Sequence, residues 1–141
     1  MVRKAPNKKA GDKRKILVVD DQVGIVSFLH DFFRDKGYEV LQATNAKKAI
    51  TQAKKEKPDL VLLDIHLGKG EDGIKVLEEI KAMMPRVKVL MITAIKDQEV
   101  MNEAFRLGAD DYISKPFSLQ YLEKVVMLKV LSMDIDRIGK G

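Results

Sequence analysis

The sequence predicts an α/β domain with a doubly wound, five-stranded parallel sheet and helices on both faces. Two observations predict it. The runs Ile16-Leu17-Val18-Val19, Leu60-Val61-Leu62-Leu63 and Val87 to Ile92 have the near-continuous apolar form of strands buried on both faces. Between the strands lie segments that repeat apolar residues at helical spacing, each long enough for a right-handed crossover.

The elements follow in order. A first strand over Lys15 to Asp20 leads to a helix from about Gln22 to Lys36, with Val26, Leu29 and Phe33 on one side and Gly37 as the stop. Tyr38 to Ala43, of mixed polarity, suits a strand at the sheet edge. Ala46, Ala49, Ile50 and Ala53 mark a second helix, closed by a lysine-rich run and Pro58. The central strand ends at Asp64 and opens into a glycine-containing loop, Ile65 to Gly73. Ile74, Leu77 and Ile80 define the third helix, which Pro85 stops. The fourth strand ends at Thr93, and a helix from about Asp97 turns Val100, Ala104 and Leu107 inward. Asp111 to Ser114 is a short fifth strand. Ser118 caps a final helix running to about Asp134. Reversal of winding after the first crossover gives the flavodoxin-like order 2-1-3-4-5, with the ends of strands one, three and four together.

The 141 residues suit one core-forming domain, read here as a basic tail over 1–14, a domain over 15–135 and a short tail over 136–141. The first fifteen residues hold seven Lys or Arg and one Asp, a net of +6. The whole chain is +5, so the remainder is −1. Basicity therefore belongs to the tail, read as a solvated arm; nucleic-acid contact is the disfavoured reading, for want of an aromatic to stack on bases. With no cysteine, disulfides and thiolate metal sites are excluded. No signal peptide or membrane span is recognisable, so a cytoplasmic protein is expected.

Asp20, Asp21 and Asp64 stand at the carboxyl ends of adjacent predicted strands. Any one could simply cap a turn or helix, and Asp21 could cap the helix that begins at Gln22. Three together repel unless a cation offsets them, and hard oxygen donors without His or Cys at zinc spacing suit Mg²⁺, with Mn²⁺ as a substitute. Thr93 brings a hydroxyl and Lys115 a fixed positive charge to the same edge. A carboxylate nucleophile, a cation, a lysine and a hydroxyl are the parts needed to receive a phosphoryl group.

The ordered set Asp20-Asp21, Asp64, Thr93-Ala94 and Lys115-Pro116-Phe117, with Gly108-Ala109-Asp110-Asp111-Tyr112 before the last, resembles the receiver domains of two-component response regulators over about Lys15 to Met133. The resemblance implies that Asp64 accepts phosphate from a phosphohistidine of a sensor kinase or phosphotransfer protein. It implies that Asp21, Asp64 and the His66 backbone carbonyl ligate Mg²⁺, with Asp20 acting largely through water. Thr93 and Lys115 would hold the phosphoryl oxygens. Movement of Thr93 would let Tyr112 turn inward and alter the face of the fourth helix, fifth strand and fifth helix, where an effector docks. Such a domain turns over no outside substrate. It is monomeric or dimerises on phosphorylation, and either stands alone or belongs to a larger regulator with a DNA-binding or enzymatic output.

The sequence departs from the family pattern at one place. The segment Ile65-His66-Leu67-Gly68-Lys69-Gly70-Glu71 is glycine-rich, longer than the family's usual segment, and lacks its common proline. The His66 side chain is expected in loop packing or solvent, His30 is read as structural, and Ile95 is expected to shield an acyl phosphate from water. The methionines read as core fillers, with Met83, Met84 and Met101 as candidates for a partner face. Two other phosphate-handling readings fit worse. Haloacid-dehalogenase-like enzymes place a second acid two residues after the nucleophile, which Asp20-Asp21-Gln22-Val23 does not. A nucleotide cradle needs glycines and backbone donors where the first turn carries acids.

Overall fold

The computed structural model describes residues 13–140. Residues 1–12 of the predicted basic tail, and Gly141, lie outside them. In order, the elements are β1 (Lys15–Val19), α1 (Val23–Asp35), β2 (Glu39–Ala43), α2 (Ala46–Glu56), β3 (Leu60–Leu63), α3 (Gly73–Met83), β4 (Lys88–Thr93), α4 (Gln98–Arg106), β5 (Asp111–Ser114) and α5 (Leu119–Lys140). The sheet is parallel throughout, in the order β2-β1-β3-β4-β5. Compactness divides the described chain into Lys13–Lys115 and the segment from Pro116 onward.

Within Lys13–Lys115, the strand pleat sorts the side chains. Leu17, Val19, Val61, Leu63, Val89 and Met91 join Ala49 and Ala53 of α2, Leu77 and Ile80 of α3 and Ala104 of α4 in one buried cluster. Ile16, Val18, Leu60, Leu62 and Leu90 are also fully buried and point to the opposite face. There α1 buries Val26, Leu29 and Phe33, its one apolar stripe. A strand buried on both faces has no polar side, which is why β3 reads as four consecutive aliphatics. Burying each such side chain contributes roughly 1.5–3 kcal/mol.

Several helix ends are fixed by side chains. Asn45 accepts from the Lys48 amide, Asp72 from Ile74, and Asp97 from Glu99 and Val100. Gly37, at φ 99°, takes the left-handed conformation that ends α1. At the amino-terminal edge of the sheet, the Lys81 ammonium bonds the Val87 carbonyl and the Asp110 carboxylate, which also accepts from the Val89 amide.

α5, described by itself, begins with the predicted cap: Ser118 Oγ accepts from the Tyr121 amide at 3.0 Å. It buries Leu122, Val125 and Val126. The helix continues to Lys140 rather than stopping near Asp134, because the residues after Asp134 include no proline and no glycine before Gly139. Positions 136–140, expected as a short tail, are thus helical. Met83 and Met84 pack against the core cluster rather than reaching outward, and Met101 is half-buried. His30 bonds its neighbour Asp31 at 2.9 Å.

Candidate functional site

Strand register assembles the site. Val19 is the Cα partner of Leu63, so Asp20 and Asp64 leave β1 and β3 side by side. The Asp64 amide donates to the Val19 carbonyl at 3.0 Å, which continues the ladder one residue past the strands. Thr93 pairs with Ser114 across β4 and β5, and the Lys115 amide donates to the Thr93 carbonyl at 2.9 Å. Four strand ends therefore present Asp20, Asp64, Thr93 and Lys115 along one edge, at the point where the strand order reverses.

Asp20 and Asp64 are held in the same way. In each, Oδ1 accepts from the backbone amide two residues on, Gln22 at 2.9 Å and His66 at 3.1 Å. In each, Oδ2 faces the Lys115 ammonium, at 2.7 Å and 3.0 Å respectively. The local turn fixes each carboxylate's rotamer, and one lysine bridges the pair. Asp21 is different. It is exposed, and among the described residues its carboxylate has no hydrogen-bond or ion-pair partner. It does not cap α1 either, since the cap position is Gln22 and the acid that bonds there is Asp20.

Carboxylate oxygens of Asp20, Asp21 and Asp64 all lie within 4.8 Å of one another. Three carboxylates and one ammonium sum to a formal charge of −2 on a patch where Asp20 and Asp64 are 4% and 6% exposed. Burial, the largest effect on Asp20, pushes its carboxyl up; the Lys115 hydrogen bond, the Gln22 amide and the lysine's charge oppose it, and the Asp64 charge adds to it. Lys115 shows the converse. Burial works against its charge, but the bonds to Asp20 and Asp64 outweigh that and raise its pKa. A site of hard oxygens with excess negative charge fits a divalent cation.

Thr93 is fully buried, and its Oγ1 accepts from the Ile95 amide at 3.3 Å. The Ile95 carbonyl in turn accepts from the Tyr112 hydroxyl at 2.8 Å. Tyr112 is half-buried, with its ring 6.4 Å from that of Phe105 on α4. Ile95 thus joins the two hydroxyls through its backbone, a link that sequence spacing does not reveal because it uses no particular side chain. His66 turns its side chain to solvent and gives its amide to Asp64.

Two glycines shape the rim. A Cβ on Gly73 would stand 2.1 Å from the Asp64 carbonyl oxygen and 2.7 Å from the Ile65 Cα, and the Gly73 amide donates to the Ile65 carbonyl at 2.7 Å. α3 therefore starts flush against the backbone that carries Asp64. Gly68, at φ 72°, is so close to Asp21 that a Cβ would lie 3.0 Å from Oδ2.

The chain has relatives among known proteins. Sporulation initiation phosphotransferase F of Bacillus subtilis is 38% identical over 112 residues, 79% of this chain and 90% of that protein. The alkaline phosphatase synthesis transcriptional regulatory protein PhoP of the same organism is 43% identical over 106 residues, and the chain spans only 43% of its length. A CheY-like response regulator receiver domain protein from Methanospirillum hungatei superimposes with a TM-score of 0.85 at 28% identity, covering 88% of this chain and 98% of that one. Residues 16–127 match the response regulator receiver domain, and the chain belongs to the receiver domains of two-component response regulators.

Proposed function

We propose that the protein is a phosphorylation switch whose acceptor is Asp64. An ionised Asp64 oxygen attacks the phosphorus of a phosphohistidine on a sensor kinase or phosphotransfer protein. The new bond is O–P, the N–P bond breaks, and the imidazole nitrogen leaves with the electron pair. No general base is required, because the nucleophile is already ionised. Asp20, Asp21 and Asp64, with the His66 carbonyl, would hold Mg²⁺ or Mn²⁺, which when bound neutralises charge on the transferring oxygens. The one observation that carries this reading is the convergence of three carboxylates and the Lys115 ammonium at adjacent strand ends.

Lys115 orients Asp64 beforehand and is placed to exchange that carboxylate for a phosphoryl oxygen. Thr93, turning its hydroxyl to the same group, gives up the Ile95 amide. That shifts the residue whose carbonyl holds Tyr112, so the charge at Asp64 reaches α4 and β5, where an effector binds. The protein turns over no outside substrate, and phosphorylation and its loss are its only chemistry. Among the described residues no helix is long and apolar enough to cross a membrane, and the proposed compartment is the cytoplasm.

The test is to incubate the protein with acetyl phosphate and Mg²⁺ and measure its intact mass. A single phosphate adduct that vanishes with EDTA and in Asp64→Asn supports the reading. An adduct that persists in Asp64→Asn overturns it.

A further inference from the structure

The loop that departs from the family pattern is built as a strap. His66 and Asp72 form an antiparallel bridge, and between them the chain reverses through Gly68, Lys69 and Gly70, all at positive φ (72°, 49° and 76°). The Glu71 amide closes this turn on the Gly68 carbonyl at 2.9 Å. Lys69 pays a backbone cost for its left-handed conformation, so the surroundings must hold the turn.

What holds it is remote in sequence. The Glu71 carboxylate accepts a 2.9 Å hydrogen bond from the backbone amide of Ala46, the first residue of α2. The first turn of α2 has no acid of its own and carries Lys47 and Lys48, so Glu71 supplies the negative charge that this helix end lacks. Two residues beyond the bridge to His66, at the other limb of the turn, Gly68 lies against the uncommitted Asp21 carboxylate.

We propose that Glu71 is a positioning residue for the cation site: its bond to Ala46 pins the Gly68–Gly70 turn against Asp21 and so restricts the one carboxylate that no protein cation holds. The inference rests on the functional reading above. With the strap released, the turn moves off Asp21, that side chain samples more rotamers, and the cation must order it on binding. Loss of supporting contacts around metal ligands typically weakens affinity about 10–100-fold when they touch the ligand directly. Glu71 acts one step further out, and about threefold to tenfold is expected.

The experiment measures Mn²⁺ binding to the unphosphorylated full chain by electron paramagnetic resonance of the free ion. Glu71→Ala is expected to bind several-fold more weakly. Glu71→Gln keeps an acceptor oxygen for the Ala46 amide and should bind within about twofold of wild type, well inside the loss expected for Glu71→Ala. Ala46→Pro deletes the donor instead, at a first-turn position where proline suits a helix. It should weaken binding as Glu71→Ala does, and the double variant should lose no more than either single one. Wild-type affinity in Glu71→Ala, or equal losses in Glu71→Gln and Glu71→Ala, overturns the proposal. If wild type itself fails to bind, or if Asp21→Asn binds as well as wild type, the functional reading falls as well. Should Glu71→Ala fail to fold, Ala46→Pro and Glu71→Gln decide the question by the same comparison.

Discussion

The ammonium of Lys115 stands 3.0 Å from Oδ2 of Asp64, across 51 residues of chain. Its other carboxylate contact, Asp20, is 5% exposed at the side chain, and Lys115 itself is 17% exposed. A pair this shielded is costly to break from one side, because the remaining charges keep their burial and lose their partner. Lys115→Ala should therefore lower the stability of the cation-free protein by about 1–3 kcal/mol in urea unfolding. The same change removes a competing positive charge, so Mn²⁺ affinity should rise while the yield of phosphate adduct falls. Unaltered unfolding would mean that the bridge does not persist in solution.

Gly73 is the second point of sensitivity. A Cβ at 2.1 Å from the Asp64 carbonyl oxygen cannot be accommodated by a side-chain movement, since both atoms it meets first are backbone. Gly73→Ala must displace either the start of α3 or the strand end that carries Asp64. The expected cost is about 3 kcal/mol or more, with lost cation binding. Gly24→Ala is the control. It lies in α1 with open space around its Cβ position, and should stabilise the fold by up to about 1 kcal/mol.

How far the sequence speaks depends on the range of each interaction. The apolar runs of β1, β3 and β4 were legible because burial on both faces leaves an unbroken signature, and Asp20, Asp64 and Thr93 follow from them as the first polar residues at each end. Lys115 lies just past a strand of mixed burial; its charge is legible at the same edge, while the pairing of Thr93 with Ser114 sets the ammonium against Asp64. The link that Ile95 makes between Thr93 and Tyr112 uses its backbone groups, which carry no residue-type signal. Glu71 carries no sequence signal of its contact, because its partner amide is 25 residues away. The turns of α5 beyond Asp134 hold only Ile135 and Ile138 as large apolar residues, so the sequence there offers little helical periodicity to read.

Tyr112 gives a titration that reports on the site. Burial raises its pKa first, and the charges of Asp64 and Asp97 raise it further. A pKa raised in the folded state means that the neutral phenol stabilises the fold below the unfolded-state value, and that this contribution is lost as the pH climbs through the folded-state one. In a phenolate absorbance titration, with Tyr112→Phe subtracted to remove Tyr38 and Tyr121, the midpoint should lie above the ordinary tyrosine range. Asp64→Asn should bring it part of the way back, since burial and Asp97 remain. A midpoint indifferent to Asp64→Asn would show that the ring does not sense that carboxylate's charge.

Ile95 governs the last expectation, the lifetime of the phosphoryl group. Its amide bonds the Thr93 hydroxyl, its carbonyl bonds Tyr112, and its side chain packs half-buried against the core cluster. An aliphatic side chain two residues past Thr93, on a backbone anchored at both its groups, offers an attacking water no hydrogen bond, so hydrolysis of the acyl phosphate should be slow. After removal of acetyl phosphate, the mass adduct in the wild type should outlast a half-life of seconds. Ile95→Ala keeps both backbone bonds but removes the aliphatic bulk, and should lose the adduct severalfold faster. Tyr112→Phe, which removes only the hydroxyl bonded to the Ile95 carbonyl, should decay close to wild type. Equal decay in wild type and Ile95→Ala would assign the lifetime to the charged groups around Asp64 and not to this side chain.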